Sequence, residues 1–273
     1  MERADTRRDA LHALVRERGF LRVADASRLF EVSEVTIRAD LTALEESGLV
    51  MRTHGGAMPR GGDGDATAPT PASAPESALE QSLARESAAK RAIGAAAAAL
   101  VTPGQSILLD VGSTALAVAQ ALVARTDLDE LSIITNGLSI ALALEPAMPR
   151  FTVVLTGGTL RPLQHSLVNP GASEFLEQVH ADLALIGCNG VDLVRGVTNV
   201  NYPEAEVKRR MVQSSKRRVL IADGSKLGQA HLGLIGPLSD FELLVTGGEA
   251  PRGAVRGLRE HGLEVIVAAT GPQ

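Results

Sequence analysis

A chain of 273 residues, 45% of them apolar, suggests about two domains and is ample for folded cores. The single cysteine, Cys188, excludes an intrachain disulfide and suits a reducing compartment, and the scattered histidines lack metal-ligand spacing. Net charge is −5, and all of it lies beyond residue 60, because residues 1–60 hold ten arginines and ten acids; polyanion binding by bulk charge is excluded there, so any phosphate affinity must come from how the arginines are arranged.

The N-terminus MERADTRRDA has no apolar stretch of the kind a signal peptide needs, and the longest apolar run, Ala92 to Val101, is about half a membrane span. A cytoplasmic protein with no membrane partner is expected. Arg7 to Arg18 reads as a helix with Leu11, Leu14 and Val15 inward, and Arg22 to Phe30 as a second, ending on Leu29 and Phe30. Val32-Ser33 is a turn into a third helix. There Ile37, Leu41 and Leu44 share one face and are expected to be buried, with Ser33 as N-cap and Gly48 as the C-terminal stop. Val35, Ala39 and Thr42 fall opposite that stripe, flanked by Thr36 and Arg38. Short side chains, hydroxyls and an arginine suit a helix that approaches base edges. Leu49 to Ala57 then reads as a Gly-Gly hairpin. Helix, helix, turn, helix and hairpin make a winged helix-turn-helix, or alternatively a three-helix scaffold that binds protein. For double-stranded DNA the candidate contacts are Ser33, Val35, Thr36, Arg38, Ala39, Thr42, Arg52 and His54.

Pro, Gly, Ala and Asp without periodicity mark a flexible linker, dividing the chain into 1–58, the DNA-binding domain, 59–75, the linker, and 76–273, a second domain. Glu76 to Val101 is expected to form one long Ala-rich helix. It is the first helix of the second domain, or it also connects to the DNA-binding half or packs in a dimer interface. From Ser106 onward, short Val/Ile/Leu runs alternate with helical stretches. The runs are Ser106–Asp110, Leu131–Thr135, Phe151–Thr156, Asp182–Gly187, Arg218–Asp223, Phe241–Thr246 and Leu263–Ala268. The helices are Ala115–Ala124, Leu138–Glu145, Gly171–Val179, Pro203–Ser214 and Ala254–His261. This pattern predicts an α/β domain with a mainly parallel sheet, whose ligand lies outside the carboxyl ends of the strands.

Those strand ends carry the polar residues. Asp110-Val111-Gly112-Ser113-Thr114 leads into a helix and suits a phosphate or carboxylate, though it also reads as an ordinary turn and N-cap. Thr135-Asn136-Gly137, Thr156-Gly157-Gly158-Thr159, Gly187-Cys188-Asn189-Gly190 and Asp223-Gly224-Ser225-Lys226 end four further strands. Arg161, Lys208 and Lys226 are candidate countercharges for a phosphate, with an i,i+4 pair to Glu204 as the alternative for Lys208. Aromatics make up only 2% of the chain, so the ligand is expected to be held by hydrogen bonds and charge rather than stacking.

The run VSEVTIRADLTALEESGLVMRTHGGA resembles the signature of the DeoR family of bacterial transcriptional regulators. That family usually places two arginines before the aspartate; here the second is Ala39, which leaves Arg38 as the long base- or phosphate-reading group. Ala39 and Val35 could instead touch thymine methyls. The order LDVGST, ITNGL, LTGGTLR, GCNGVD, NYPEAEVKRRM, LIADGSKLG is similar to the family's C-terminal sensor domain, which is related in fold to ribose-5-phosphate isomerase and binds phosphorylated sugars or related metabolites. The resemblance implies ligand contacts at Asp110, Gly112, Ser113, Thr114, Thr135, Asn136, Gly157, Gly158, Asp223 and Lys226. It departs from the family at Thr246-Gly247-Gly248, where Thr-Asp is usual.

The expectation is thus a transcriptional regulator, a repressor of carbohydrate-metabolism genes, with a sugar phosphate as effector, no cofactor, and a dimer or tetramer on a two-half-site operator. The alternative is a sugar-phosphate isomerase with an accessory domain, using Asp110, Asp192 or Asp223 as base. Against it, the Cys188-Asn189-Gly190 loop stands where the resembling isomerases carry an acid-rich one.

Overall fold

The computed structural model describes residues 2–18, 21–30, 32–47, 49–53, 56–59, 79, 87–247 and 250–269. By internal contacts the chain divides into two compact units, Met1–Ala74 and Pro75–Gln273.

In the first unit, α1 (Glu2–Arg18), α2 (Val23–Phe30) and α3 (Glu34–Glu46) accompany a small sheet of β1 (Leu21–Arg22), β2 (Val50–Thr53) and β3 (Gly56–Pro59), all antiparallel in the order β1-β3-β2. The apolar stripes explain the packing. Leu11 and Val15 from α1, Ala26 from α2, and Ile37, Leu41 and Leu44 from α3 are buried together with Val50 and Ala57. Leu14 and Phe30 pack on this core only in part, and Leu29 is exposed. Ser33 caps α3 by accepting the Thr36 amide at 3.2 Å. At the other end Ser47 is the cap residue, and Gly48 lies outside the described residues. The β2–β3 ladder extends the hairpin to Pro59, opposite Val50, so the ladder takes in the first residue expected in the linker. The rest of that segment lies outside the described residues.

Asp40 adds a tie that its place in the sequence does not announce. Its buried carboxylate accepts from Arg7 at 2.6 Å and Arg8 at 3.1 Å, joining α1 to α3. Charge-assisted hydrogen bonds of this kind offset the cost of burying the carboxylate.

In the second unit all seven expected strands form one parallel sheet. They are β4 (Ser106–Leu109), β5 (Leu131–Thr135), β6 (Phe151–Leu155), β9 (Ala181–Gly187), β12 (Ser215–Ile221), β14 (Leu243–Gly247) and β15 (Glu264–Ala268), in the order β15-β14-β12-β9-β4-β5-β6. Alternate residues face two separate cores, as the pleat requires. Ile107, Leu109, Leu183, Leu185, Val219 and Val245 meet α4 (Ser87–Ala98), α5 (Ser113–Ala124) and α6 (Leu138–Leu144). On the other face Leu108, Ala184, Ile186, Leu220 and Leu244 meet α7 (Gly171–Leu176), α8 (Tyr202–Gln213) and α9 (Arg252–Glu260).

The alanine run of α4 has a packing reason. A Cβ on Gly94 would come within 2.6 Å of the Ala117 carbonyl group, so α4 and α5 cross with backbones nearly touching. The described helix stops at Ala98, where Arg125 donates to the carbonyls of Ala98 and Val101 at 2.6 and 2.9 Å. It is therefore shorter at its C-terminal end than the expected Glu76–Val101. Of the segment before it, only Leu79 is described; it is buried and donates its amide to the Leu163 carbonyl at 3.0 Å.

Short strands not expected from the sequence complete the unit. β7 (Thr159–Arg161) and β8 (Ser166–Val168) form a hairpin, and β10 (Gly190–Asp192), β11 (Gly196–Asn199) and β13 (Gly233–Gly236) form an antiparallel sheet.

Candidate functional site

From β4 the chain moves outward to β5 and β6 on one side. It then returns to place β9, β12, β14 and β15 on the other. Strand order therefore reverses between β4 and β9, and in an open parallel sheet the crevice at the carboxyl ends of such a pair is where ligands bind.

Asp110 ends β4 at that crevice, fully buried. Its Oδ2 accepts the Gly187 amide at the end of β9, at 2.9 Å, and the Lys208 ammonium from α8. Lys208 also donates to the Gly187 carbonyl at 3.1 Å. Gly187 has little room to be anything else, since a Cβ there would lie 3.2 Å from the same carboxylate oxygen. Burial works against both charges. For Lys208 the nearby Asp110 and Glu204 carboxylates outweigh burial and hold the ammonium above its ordinary pKa. The i,i+4 alternative for Lys208 is corrected accordingly: its hydrogen-bonded partner is Asp110, and Glu204 faces other groups. The carboxylate of Glu204, also buried, accepts from Arg161, from Ser166 at 2.6 Å and from Asn199 at 3.3 Å.

The predicted residues gather along this edge. Gly112, with φ +113°, is the N-cap of α5 and offers no side chain to cap it; Ser113 and Thr114 follow as its first residues. That leaves a helix N-terminus, with its orphan amides, directly after Asp110. Thr135 and Asn136 end β5, both fully buried. The Thr135 hydroxyl accepts the Gly137 amide at 3.1 Å, and Asn136 donates to the Leu167 carbonyl at 3.1 Å, which ties β5 to the β7–β8 hairpin. The Oδ1 atoms of Asp110 and of Asn136 are buried without a hydrogen-bond partner.

Gly157 and Gly158 follow β6 with φ of +76° and +118°. Gly158 serves backbone packing, since a Cβ there would stand 2.1 Å from the Val168 carbonyl oxygen, whereas at Gly157 a Cβ would meet nothing within 4 Å and only the positive φ favours glycine. Asp223 ends β12 and caps the turn Gly224–Lys226 by accepting the Ser225 amide at 3.0 Å. The charges of Lys208, Lys226, Asp110 and Asp223 all act on the Cys188 thiol, at the strand end after Gly187. Burial of the sulfur pushes that thiol up to about 12, so the half-buried Cys188 stays protonated rather than acting as a nucleophile. Asp192, considered above as a base, instead accepts the amides of Val194 and Arg195 at 2.9 and 2.7 Å and holds the β10–β11 turn.

Sequence reasoning took in Gly187 only as part of a strand-end turn, and passed over Glu204, Ser166 and Asn199 as site components. Only the Tyr202-Pro203-Glu204 helix start hinted at them, and their partners are remote in the chain.

On α3 the outer face is as the periodicity requires. Val35 is 72% exposed, Ala39 is exposed, and Thr42 is half-buried with its hydroxyl donated to the Arg38 carbonyl at 2.8 Å. Ser33 and Thr36 share a hydrogen between their hydroxyls at 2.9 Å. Arg38 pairs with Glu34 at 2.6 Å. Arg52 lies on β2 opposite Ala57, with its side chain outside the described residues, and His54 lies outside them altogether.

Known proteins agree with this architecture. Residues 7–59 match the model of the DeoR-like helix-turn-helix domain, and residues 85–248 that of the DeoR C terminal sensor domain. The chain is 32% identical over 254 residues to the glycerol-3-phosphate regulon repressor of Haemophilus influenzae, covering 93% of each chain. It is 31% identical over 262 residues to the HTH-type transcriptional regulator GolR of Listeria innocua, covering 96% of this chain and 98% of that one. Among solved structures it is similar to ribose 5-phosphate isomerase A from Methanocaldococcus jannaschii at a TM-score of 0.37 and 17% identity, over 50% of this chain and 52% of that one, a likeness too low to carry functional weight. No helix among the described residues is long and apolar enough to cross a membrane. The two family models together span both structural units, and the chain belongs to the DeoR family of transcriptional regulators, not to an enzyme family.

Proposed function

We propose that the chain is a cytoplasmic, oligomeric repressor of carbohydrate-metabolism genes, and that a phosphorylated sugar in the β4–β9 crevice lowers its affinity for operator DNA. The observation that carries the effector reading is the uncapped start of α5 directly after the buried Asp110. The helix N-terminus suits the phosphate, with Ser113 and Thr114 as hydroxyl donors and Lys226 as countercharge. The unpartnered Oδ1 atoms of Asp110 and Asn136 suit two sugar hydroxyls, since a buried acceptor left unpaired costs about 1–3 kcal/mol. Gly112, Thr135, Gly157, Gly158 and Asp223 shape the crevice, and Arg161 holds Glu204 beside it. That the Haemophilus relative is named for a glycerol-3-phosphate regulon supports a phosphorylated effector.

For DNA, α3 lies in the major groove. Val35 and Ala39 touch base edges, Arg38 reads or neutralises, Ser33, Thr36 and Thr42 line the approach, and Arg52 and His54 on the wing meet the backbone. The test is selection of genomic fragments by the pure protein at two salt concentrations. The reading requires a motif of paired half-sites and binding that weakens steeply with salt. Failure to enrich any fragment, even at low salt, would remove it.

A further inference from the structure

Glu34, the first residue of α3, lays its carboxylate 2.6 Å from the guanidinium of Arg38 one turn later, with the two side chains 46% and 53% exposed. Arg38 is the only basic residue on the helix. Its surroundings are short or already engaged. Val35 and Ala39 have no polar atoms in their side chains, and Thr42 has given its hydroxyl hydrogen to the Arg38 carbonyl. One hydroxyl hydrogen is likewise spent between Ser33 and Thr36. The Glu34–Arg38 pair is therefore the long polar group that this face presents at the end of the helix that enters a groove.

We propose that Glu34 is a specificity-determining residue, which turns Arg38 from a phosphate clamp into a reader of guanine. This rests on α3 being the recognition helix. A guanine edge offers two acceptors, O6 and N7, and an arginine reads both only when its fork is held in the plane of the base. An unrestrained arginine on a helix surface instead samples many rotamers and is drawn to the dense negative charge of the backbone. The Glu34 carboxylate counters both tendencies. It engages one Nη, which restricts the guanidinium and leaves the other N–H groups of the fork for a base edge. Its own charge repels phosphates, so the pair loses less by settling at a base edge than by lying along the backbone. A first-turn acid also favours the helix through its dipole and an i,i+4 pair. That role alone changes stability and weakens all DNA sequences alike, which makes the two separable.

The test uses the full-length wild type, Glu34→Gln, Glu34→Ala and Arg38→Ala, each taken through selection from random DNA. Affinity is then measured for the selected site, for the same site with each guanine replaced in turn, and for unrelated DNA, alongside thermal unfolding. The wild type is expected to show a guanine whose replacement costs about 5- to 150-fold in affinity, the range of a bidentate contact. Arg38→Ala should remove that preference. Glu34→Ala should remove most of it while raising affinity for unrelated DNA, and Glu34→Gln, which keeps an acceptor without the charge, should retain part. If Glu34→Ala keeps the wild-type base preference, or weakens every sequence by one common factor, the assignment of Glu34 is overturned and the recognition helix stands. If the wild type itself selects no motif, the reading of α3 falls, and the assignment with it.

Discussion

Lys208 reaches from α8 to Asp110 at the end of β4, a residue 98 positions earlier, and the two are buried as an ion pair between β4 and β9. The pair closes the floor of the crevice at the point where strand order reverses. It fixes Asp110 with one oxygen committed and the other unpartnered.

Lys208→Met tests that role. Removing one partner of a buried ion pair leaves the other charge uncompensated, which costs about 3–5 kcal/mol. The variant should unfold at markedly lower denaturant concentration and lose effector binding, and the loss of stability should be larger than for Lys226→Ala. A Lys208→Met protein as stable as wild type would mean that Asp110 does not carry its charge in the folded state.

Two glycines with similar positive φ should respond differently to alanine. At Gly112, φ +113° and ψ +173°, a Cβ meets nothing within 4 Å, so Gly112→Ala pays only backbone strain, about 1–3 kcal/mol. At Gly158, φ +118°, the Cβ would stand 2.1 Å from the Val168 carbonyl oxygen, and strain is compounded by a clash with the β8 backbone that only a backbone shift can relieve. Thermal unfolding should rank Gly158→Ala well below Gly112→Ala; equal midpoints would contradict the described packing.

Cys188 should be inert while the protein is folded. With its thiol pushed up to about 12 by burial, the thiolate fraction at pH 8 is about one part in ten thousand. Iodoacetamide should therefore label the native protein far more slowly than the urea-unfolded chain. Rapid native labelling would show the strand end to be open.

Asp182 supplies an acid-limb prediction. It accepts from the Ser106 hydroxyl at 2.7 Å, the Ser106 amide at 3.0 Å and Lys216 at 3.0 Å, and these hold its carboxyl well below the usual range, the Ser106 hydroxyl most of all. A depressed folded pKa stabilises the protein above the unfolded value of about 3.9, and the contribution is lost as pH falls through the folded value. Asp182→Asn should thus be less stable than wild type at pH 7, with the gap narrowing as pH falls from about 4 toward 2. A gap that stays constant across that range would exclude this linkage.

The elements of the large sheet were legible because its strands are buried on both faces and read as continuous Val, Ile and Leu runs, bounded by glycine and polar turns. The Ser33 cap and the Ile37, Leu41, Leu44 stripe were legible because both are local. The β7–β8 hairpin and the β10–β11–β13 sheet were not, since three or four residues carry no usable periodicity. Long-range partners were the main omission at the site. From the sequence, Lys208 finds Glu204 four residues away; in the fold, Asp110 takes it and Glu204 turns to Arg161 and Ser166. Asp40 is a similar case, its partners Arg7 and Arg8 lying on another helix. Local spacing cannot rank a tertiary partner that burial makes stronger.

Occupation of the β4–β9 crevice by a phosphorylated sugar should be read out as loss of DNA binding. The most direct measurement is to titrate the protein, bound to its selected DNA fragment, with a panel of sugar phosphates and the matching unphosphorylated sugars. One phosphorylated member should weaken DNA binding about 5- to 150-fold, the range of typical coupling energies, its free sugar should not, and Lys226→Ala should blunt the response. Equal release by the free sugar would contradict a phosphate seat at the start of α5, and DNA affinity indifferent to every member of the panel would contradict the coupling itself.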